Sequence, residues 1–188
     1  MIRIGILGDI GSGKSYVANN FGYPVFNADH EVSKLYKKNK KIFLRLKKKL
    51  PKYINTYPIN KKQIIKAILS NKTNLKKIVN IVHKEVRKKM ELFIKKNKNK
   101  KIVILDIPLI LENKINSKGD ILFFVDSKKK EIEKRLVKRK DFNRKLFYKF
   151  KKIQYNSSYK KRKSHFIIKN NFKKNVNREI RKILKEIL

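Results

Sequence analysis

Gly8-Asp9-Ile10-Gly11-Ser12-Gly13-Lys14-Ser15 has the residue types and spacing needed to hold a phosphate, because it fits G-x-x-x-x-G-K-[ST] in full. Glycines let the backbone curl until successive N–H groups converge on one concavity. A helix starting there adds its unpaired N–H groups and the positive end of its dipole. Lys14 would set a cation on the β and γ phosphates, and Ser15 would offer its hydroxyl to Mg²⁺. The chain has only six glycines and three of them fall in this segment, so a fortuitous glycine turn explains it poorly. Asp9 is out of place there. A carboxylate would repel a phosphate, so its side chain is expected to point outward.

Other residues carry chemistry less specifically. Asp29 follows an apolar triplet, Pro24-Val25-Phe26, at what should be the carboxyl edge of a sheet. It could accept a proton from an attacking hydroxyl, or cap a helix over about 30–38. Asp106 ends Ile102-Val103-Ile104-Leu105-Asp106. It could order Mg²⁺, directly or through water, or simply close the strand before Pro108. Glu112 could face the same cleft or solvent. Arg139 and Arg144 are two of only nine arginines beside 44 lysines. Arginine makes forked phosphate contacts that lysine cannot, although a solvated helix face would account for them equally. His83, between Val82 and Val86, reads as a packed or surface histidine.

The elements that must position these residues follow from periodicity. Ile2 to Leu7 reads as a buried strand and Lys14 to Phe21 as a helix. Further strands are expected at Pro24–Phe26, Lys101–Ile107, Gly119–Asp126 and His165–Ile168. Between His30 and Lys98 there is no convincing strand. Helical faces run through Ile64, Ile65, Ile68 and Leu69, then from Leu75 to Ile94, with Pro51 and Pro58 bracketing a break. Helices are also expected from about Ile132 to Arg139, from Asn143 to Gln154 (very basic), and at the C-terminus through Ile180, Ile183 and Leu184. Strands separated by helices imply an α/β fold with a parallel five-stranded sheet covered on both faces. The segment 30–98 is too long for an ordinary crossover and reads as an inserted helical lobe. One domain is expected, with a core of 1–29, 99–138 and 164–188.

Composition narrows the class. The chain has 188 residues, enough to bury a sizeable core. There is no cysteine, which excludes disulfide scaffolds and thiolate chemistry. The three histidines have no zinc-enzyme spacing. No membrane helix or signal peptide is expected, so the protein reads as cytoplasmic. The net charge is +39, which ordinarily suggests a nucleic-acid or membrane-surface partner. Yet Lys, Asn, Ile and Phe make up 100 of the 188 residues, and all four have A/T-rich codons. The lysines are spread along the whole chain. Compositional drift accounts for the charge better than a dedicated surface does, leaving non-specific electrostatic binding as the expected extent of any nucleic-acid contact.

Together these segments resemble dephospho-CoA kinases. The resemblance runs from Ile4–Ser15 through Pro24-Val25-Phe26-Asn27-Ala28-Asp29, Ile81-Val82-His83, Leu105–Asn113, Arg139-Lys140-Asp141 with Arg144 and Gln154, to Ile167-Ile168-Lys169-Asn170. It implies a P-loop kinase fold whose inserted lobe binds the acceptor and whose basic segment 139–163 is a lid. It implies ATP- and Mg²⁺-dependent phosphorylation of the ribose 3′-hydroxyl of dephospho-CoA, the last step of coenzyme A biosynthesis, by an enzyme expected to be a monomer. Carried over by position, Asp29 is the base. Gly11, Ser12, Gly13, Lys14, Ser15 and Tyr16 hold the ATP phosphates. Arg139, in a catalytic role, and Arg144 close over them, and Asn170 lies near adenine. His83, Asp106, Pro108 and Leu109 face the acceptor. The chain departs from the family at Tyr16 (usually Ser or Thr), Asn27 (Asp), Lys84 (Pro) and Lys169 (Asp).

Three other readings compete. A shikimate-kinase-like enzyme would need a glycine pair after the third strand, and Asp106-Ile107-Pro108-Leu109 offers none. A nucleoside monophosphate kinase would want an arginine between residues 30 and 40, where there is none. A basic nucleic-acid-binding protein with a nucleotide site would use Phe147-Tyr148-Lys149-Phe150-Lys151-Lys152, then Tyr155 and Tyr159.

Overall fold

The computed structural model describes residues 1–140, 142–172 and 175–188. It divides into two compact units, one of Met1–Asn27 with Asn97–Leu188, the other of Ala28–Lys96.

The first unit is built on five parallel strands. These are β1 (Ile2–Gly8), β2 (Val25–Asn27), β3 (Ile102–Asp106), β4 (Ile121–Asp126) and β5 (Phe166–Lys169), in the order β2-β3-β1-β4-β5. β3 is buried along its whole length and β1 over its last five residues, which is why both read as unbroken apolar runs. Side chains alternate between the two faces. On one face Ile4, Ile6, Ile104, Phe123 and Val125 pack with Val17, Ala18 and Phe21 of the α1 region (Lys14–Asn19). Ile180 and Ile183 of the C-terminal helix close the same core. Phe21 meets Phe123 edge-on at 5.1 Å between ring centroids. On the other face a Cβ at Gly5 would stand 2.8 Å from Leu122 Cδ2 and 3.1 Å from Ile110 Cδ1, so the missing side chain lets the turn after β3 sit against the sheet.

The second unit holds α2 (Ala28–Lys38), α3 (Lys40–Lys49), α4 (Lys61–Ser70) and α5 (Lys72–Lys96). Ile78, Val82, Val86 and Met90, each four residues apart, form the buried stripe of α5. The other three helices pack on α5.

Three shorter helices follow β4 in the first unit: α6 (Lys129–Val137), α7 (Arg144–Ile153) and α8 (Ser157–Lys163). The C-terminal helix is α9 (Asn177–Ile187). Asparagine caps α3, α4, α7 and α8: the side chains of Asn39, Asn60, Asn143 and Asn156 accept from Ile42, Lys62, Leu146 and Tyr159 N–H respectively.

The five strands appear as periodicity implies, with ends moved by one or two residues, and α5 and α6 each start three residues earlier than expected. Two helices carry no clear apolar signal and were not expected, α3 and α8. The helix over about 30–38 starts earlier, at Ala28, so Asp29 stands inside its first turn rather than at its cap.

Candidate active site

The first loop turns between β1 and α1 through three left-handed glycines, Gly8 (φ 151°), Gly11 (φ 88°) and Gly13 (φ 89°). At Gly13 a Cβ would also collide with Asn170 Nδ2. At Gly11 it would stand 3.0 Å from both Ile132 and Leu136 of α6. Ser12 N–H donates to Asp9 C=O at 3.1 Å, closing the turn. The Ser12 carbonyl is held from outside by Ser127 Oγ and Asn170 Nδ2, each at 2.9 Å. These bonds fix the curl of the loop, the kind of turn whose N–H groups can converge on one concavity. Lys14 Nζ donates to the loop's own Asp9 and Gly8 carbonyls, at 2.9 and 3.2 Å. A phosphate entering the loop would offer the ammonium charged acceptors in place of these neutral ones. Ser15 and Tyr16 are exposed in the first turn of α1.

Asp9 does not point outward. Its carboxylate turns to α8 and accepts from Ser157 Oγ and Lys160 Nζ, both at 2.6 Å. Burial pushes its pKa up, but the hydrogen bonds from Lys160 and Ser157, with the charges of Lys160 and Lys14, outweigh that and hold it below the ordinary 3.8.

Asn170 is buried. Its N–H donates to Asp126 C=O at 2.8 Å and its Oδ1 accepts from Phe172 N–H at 3.1 Å. With its Nδ2 on Ser12, this side chain braces the phosphate loop. Phe172 has a left-handed φ of 61°, and its ring lies 4.1 Å from the Arg135 guanidinium.

Asp106 is buried at the carboxyl end of β3, in register with Asn27, whose Nδ2 donates to Asp106 Oδ2 at 2.7 Å. Pro108 and Leu109 follow in a turn, and Leu109 takes the left-handed φ of 57° that an L-residue seldom adopts. Glu112 accepts from Tyr155 N–H at 2.8 Å and so ties this turn to the start of α8. A cavity of about 300 Å³ lies beside Asp9 and Ile10, lined also by Phe147 and Lys151 of α7. The basic helix therefore borders the phosphate loop. Arg139 and Arg144 are exposed, and neither side chain has a hydrogen bond or ion pair among the described residues. Asp141, part of the same sequence pattern, lies outside the described residues.

In the helical unit, Asp29 is exposed in the first turn of α2. His83 is half-buried on α5; burial, helped by the Arg87 charge, lowers its pKa from the ordinary 6.5. Among the described residues no three His, Cys, Asp or Glu side chains cluster as a metal site. No helix among them is long and apolar enough to cross a membrane.

Sequence reasoning missed Lys160, Ser157, Ser127 and Arg135. Lys160 gave no signal, because a lysine among 44 does not announce its burial.

Residues 2–175 match the family model described as CoaE, dephospho-CoA kinase. The chain belongs to the dephospho-CoA kinase family. Among curated relatives, the dephospho-CoA kinase of Wolbachia pipientis wMel is 35% identical over 88% of this chain and 87% of its own length. That of Rickettsia prowazekii is 28% identical over 100% and 98%. A crystal structure of TT1252 from Thermus thermophilus superposes with a TM-score of 0.77 at 25% identity, covering 100% of this chain and 98% of that one. The dephospho-CoA kinase from Campylobacter jejuni shares the fold, with a TM-score of 0.64 at 23% identity over 98% and 96%. Dephospho-CoA kinase activity, in coenzyme A biosynthesis, goes with membership and displaces the shikimate-kinase-like alternative. As a kinase family it uses ATP.

Proposed function

We propose that the chain transfers the γ-phosphoryl group of ATP to the ribose 3′-hydroxyl of dephospho-CoA, giving coenzyme A and ADP. The family match over residues 2–175, with the phosphate loop braced around Lys14, carries this reading.

The residue roles are those that the family resemblance implies by position. Gly11 to Tyr16 hold the phosphates, with Ser12 fixed by Ser127 and Asn170. Lys14 leaves the Gly8 and Asp9 carbonyls for the β and γ phosphates. Asp29 orients the 3′-hydroxyl and takes its proton as that oxygen attacks the γ phosphorus. The bond from the γ phosphorus to the β-phosphate oxygen breaks, and ADP leaves. Arg139 and Arg144, on the basic segment bordering the loop, meet the charge of the transferring group. Asp106, Pro108 and Leu109 line the acceptor side at the end of β3, and His83 meets the acceptor from the helical lobe. Asn170 serves ATP binding by bracing the loop beneath the nucleotide.

The oxygen donors fit Mg²⁺. This ion takes few protein ligands and completes its shell with phosphates and water. Ser15 supplies an exposed hydroxyl and Asp106 a carboxylate, the latter acting through water. When bound, Mg²⁺ neutralises phosphate charge during transfer.

The test is ADP release from Mg²⁺-ATP with dephospho-CoA, beside shikimate, AMP and no acceptor. Turnover with dephospho-CoA alone is expected, falling about 10²–10⁴-fold in Asp29→Asn, the usual worth of a positioned base. Turnover with another acceptor, or none with dephospho-CoA, would overturn the reading.

A further inference from the structure

A carboxylate inside a phosphate-binding loop is a physical contradiction. Asp9 lies between Gly8 and Ile10, and its own carbonyl accepts from Lys14 Nζ at 2.9 Å. Its side-chain charge is therefore close to the cation that must greet ATP. Left unpaired, that carboxylate would repel the triphosphate and compete with it for Lys14.

The structure answers the charge with one residue. Lys160 projects from α8 and is 2% exposed, one of the few charged side chains buried among the described residues. Its Nζ stands 2.6 Å from Asp9 Oδ1, and Ser157, one helical turn earlier, donates to Asp9 Oδ2 at 2.6 Å. Both carboxylate oxygens are thus engaged from α8. The helix is itself anchored at the end of β4, where Lys161 Nζ meets Asp126 Oδ2 at 2.8 Å. A buried lysine is expensive to desolvate and persists where a charge partner is fixed opposite it. Surface lysines are abundant here and drift explains them; a lysine this buried needs another account.

We propose that Lys160 is a positioning residue for ATP: it neutralises the Asp9 carboxylate and holds it on α8, so that the phosphate loop stays attractive to a triphosphate. It acts through Asp9 and need not touch the nucleotide. A purely structural Lys160 would matter for stability alone. A Lys160 that contacts phosphate directly would matter whatever stood at position 9. The proposal differs from both, because the need for Lys160 should vanish when Asp9 loses its charge.

The test rests on the ATP-binding part of the proposed function and is read without any acceptor. Mg²⁺-ATP binding to the full chain is measured by calorimetry for wild type, Lys160→Met, Asp9→Asn and the double variant, with melting temperatures alongside. Lys160→Met should weaken ATP binding at least fivefold. The double variant should recover more than half of that loss on a logarithmic scale, whatever its melting temperature does. A smaller loss in Lys160→Met, or a smaller recovery in the double variant, overturns the proposal. Should Lys160→Met fail to fold, the double variant is compared with Asp9→Asn: affinities within fivefold support the proposal and a wider gap overturns it. A wild type that binds ATP but does not phosphorylate dephospho-CoA would sink the assigned reaction and leave this inference standing.

Discussion

Asn27 and Asp106 face each other in register across β2 and β3, joined by a hydrogen bond of 2.7 Å from Asn27 Nδ2 to Asp106 Oδ2. With a carboxylate at both positions, one would have to share a proton or a cation. The amide removes that conflict and gives a buried acid a donor.

Replacing Asn27 with Ala would leave Asp106, 3% exposed, without that donor. A loss of about 1–3 kcal/mol is expected for a buried charged acceptor left unpaired. Thermal unfolding checks it. A melting temperature equal to wild type would mean that the bond contributes nothing.

Gly13→Ala should disable the loop. The residue sits at φ 89°, where a Cβ is strained by about 1–2 kcal/mol. The added methyl would also strike Asn170 Nδ2 and break its bond to the Ser12 carbonyl. ATP binding should fall at least about tenfold, since 1.4 kcal/mol already corresponds to that factor. Unchanged ATP affinity in a folded variant would show that Asn170 does not brace the loop.

His83 gives a pH signature. Its folded-state pKa lies below the ordinary 6.5, first through burial and then through the Arg87 charge. Below 6.5 the unfolded chain therefore binds the proton more readily than the folded one. Its contribution to stability is full above that value and is lost as pH falls toward the folded pKa. Melting temperatures at pH 7.5 and 5.5 should show a smaller acid loss in His83→Gln than in wild type. Parallel losses would refute the assignment.

Arg139 and Arg144 are exposed, so changing them should leave folding intact. Arg139→Lys and Arg144→Lys keep the charge and lose the fork. Turnover should drop about 10-fold or more for Arg139→Lys, within the range by which arginines act on a transferring phosphoryl group. Melting temperatures should stay within about 2 °C, as for surface substitutions in a domain of this size. Wild-type turnover in Arg139→Lys would remove it from the reaction.

The sheet was legible because its central strands, β3, β1 and β4, are mostly buried and read as apolar runs. The phosphate loop was legible because glycine is scarce here and its spacing is functional. The helix α3 was not, since Ile42, Phe43 and Leu46 are its only buried residues among five lysines and an arginine. The helix α8 has no apolar period at all; the side chain it buries is Lys160. Asp9 was noticed in the sequence as out of place, but its partner lies 151 residues away. Long-range pairing of two charges leaves no local trace in residue order.

The asparagine caps bear on how such a chain tolerates its own mutational history. The chain has 19 asparagines. Four of them stand at helix starts and accept a backbone N–H there. Asparagine is among the strongest residues at that position. The composition that covers the chain with lysine therefore also supplies punctuation, marking where four helices begin. Such a sequence can do with little of the ordinary vocabulary and still say where these four helices start.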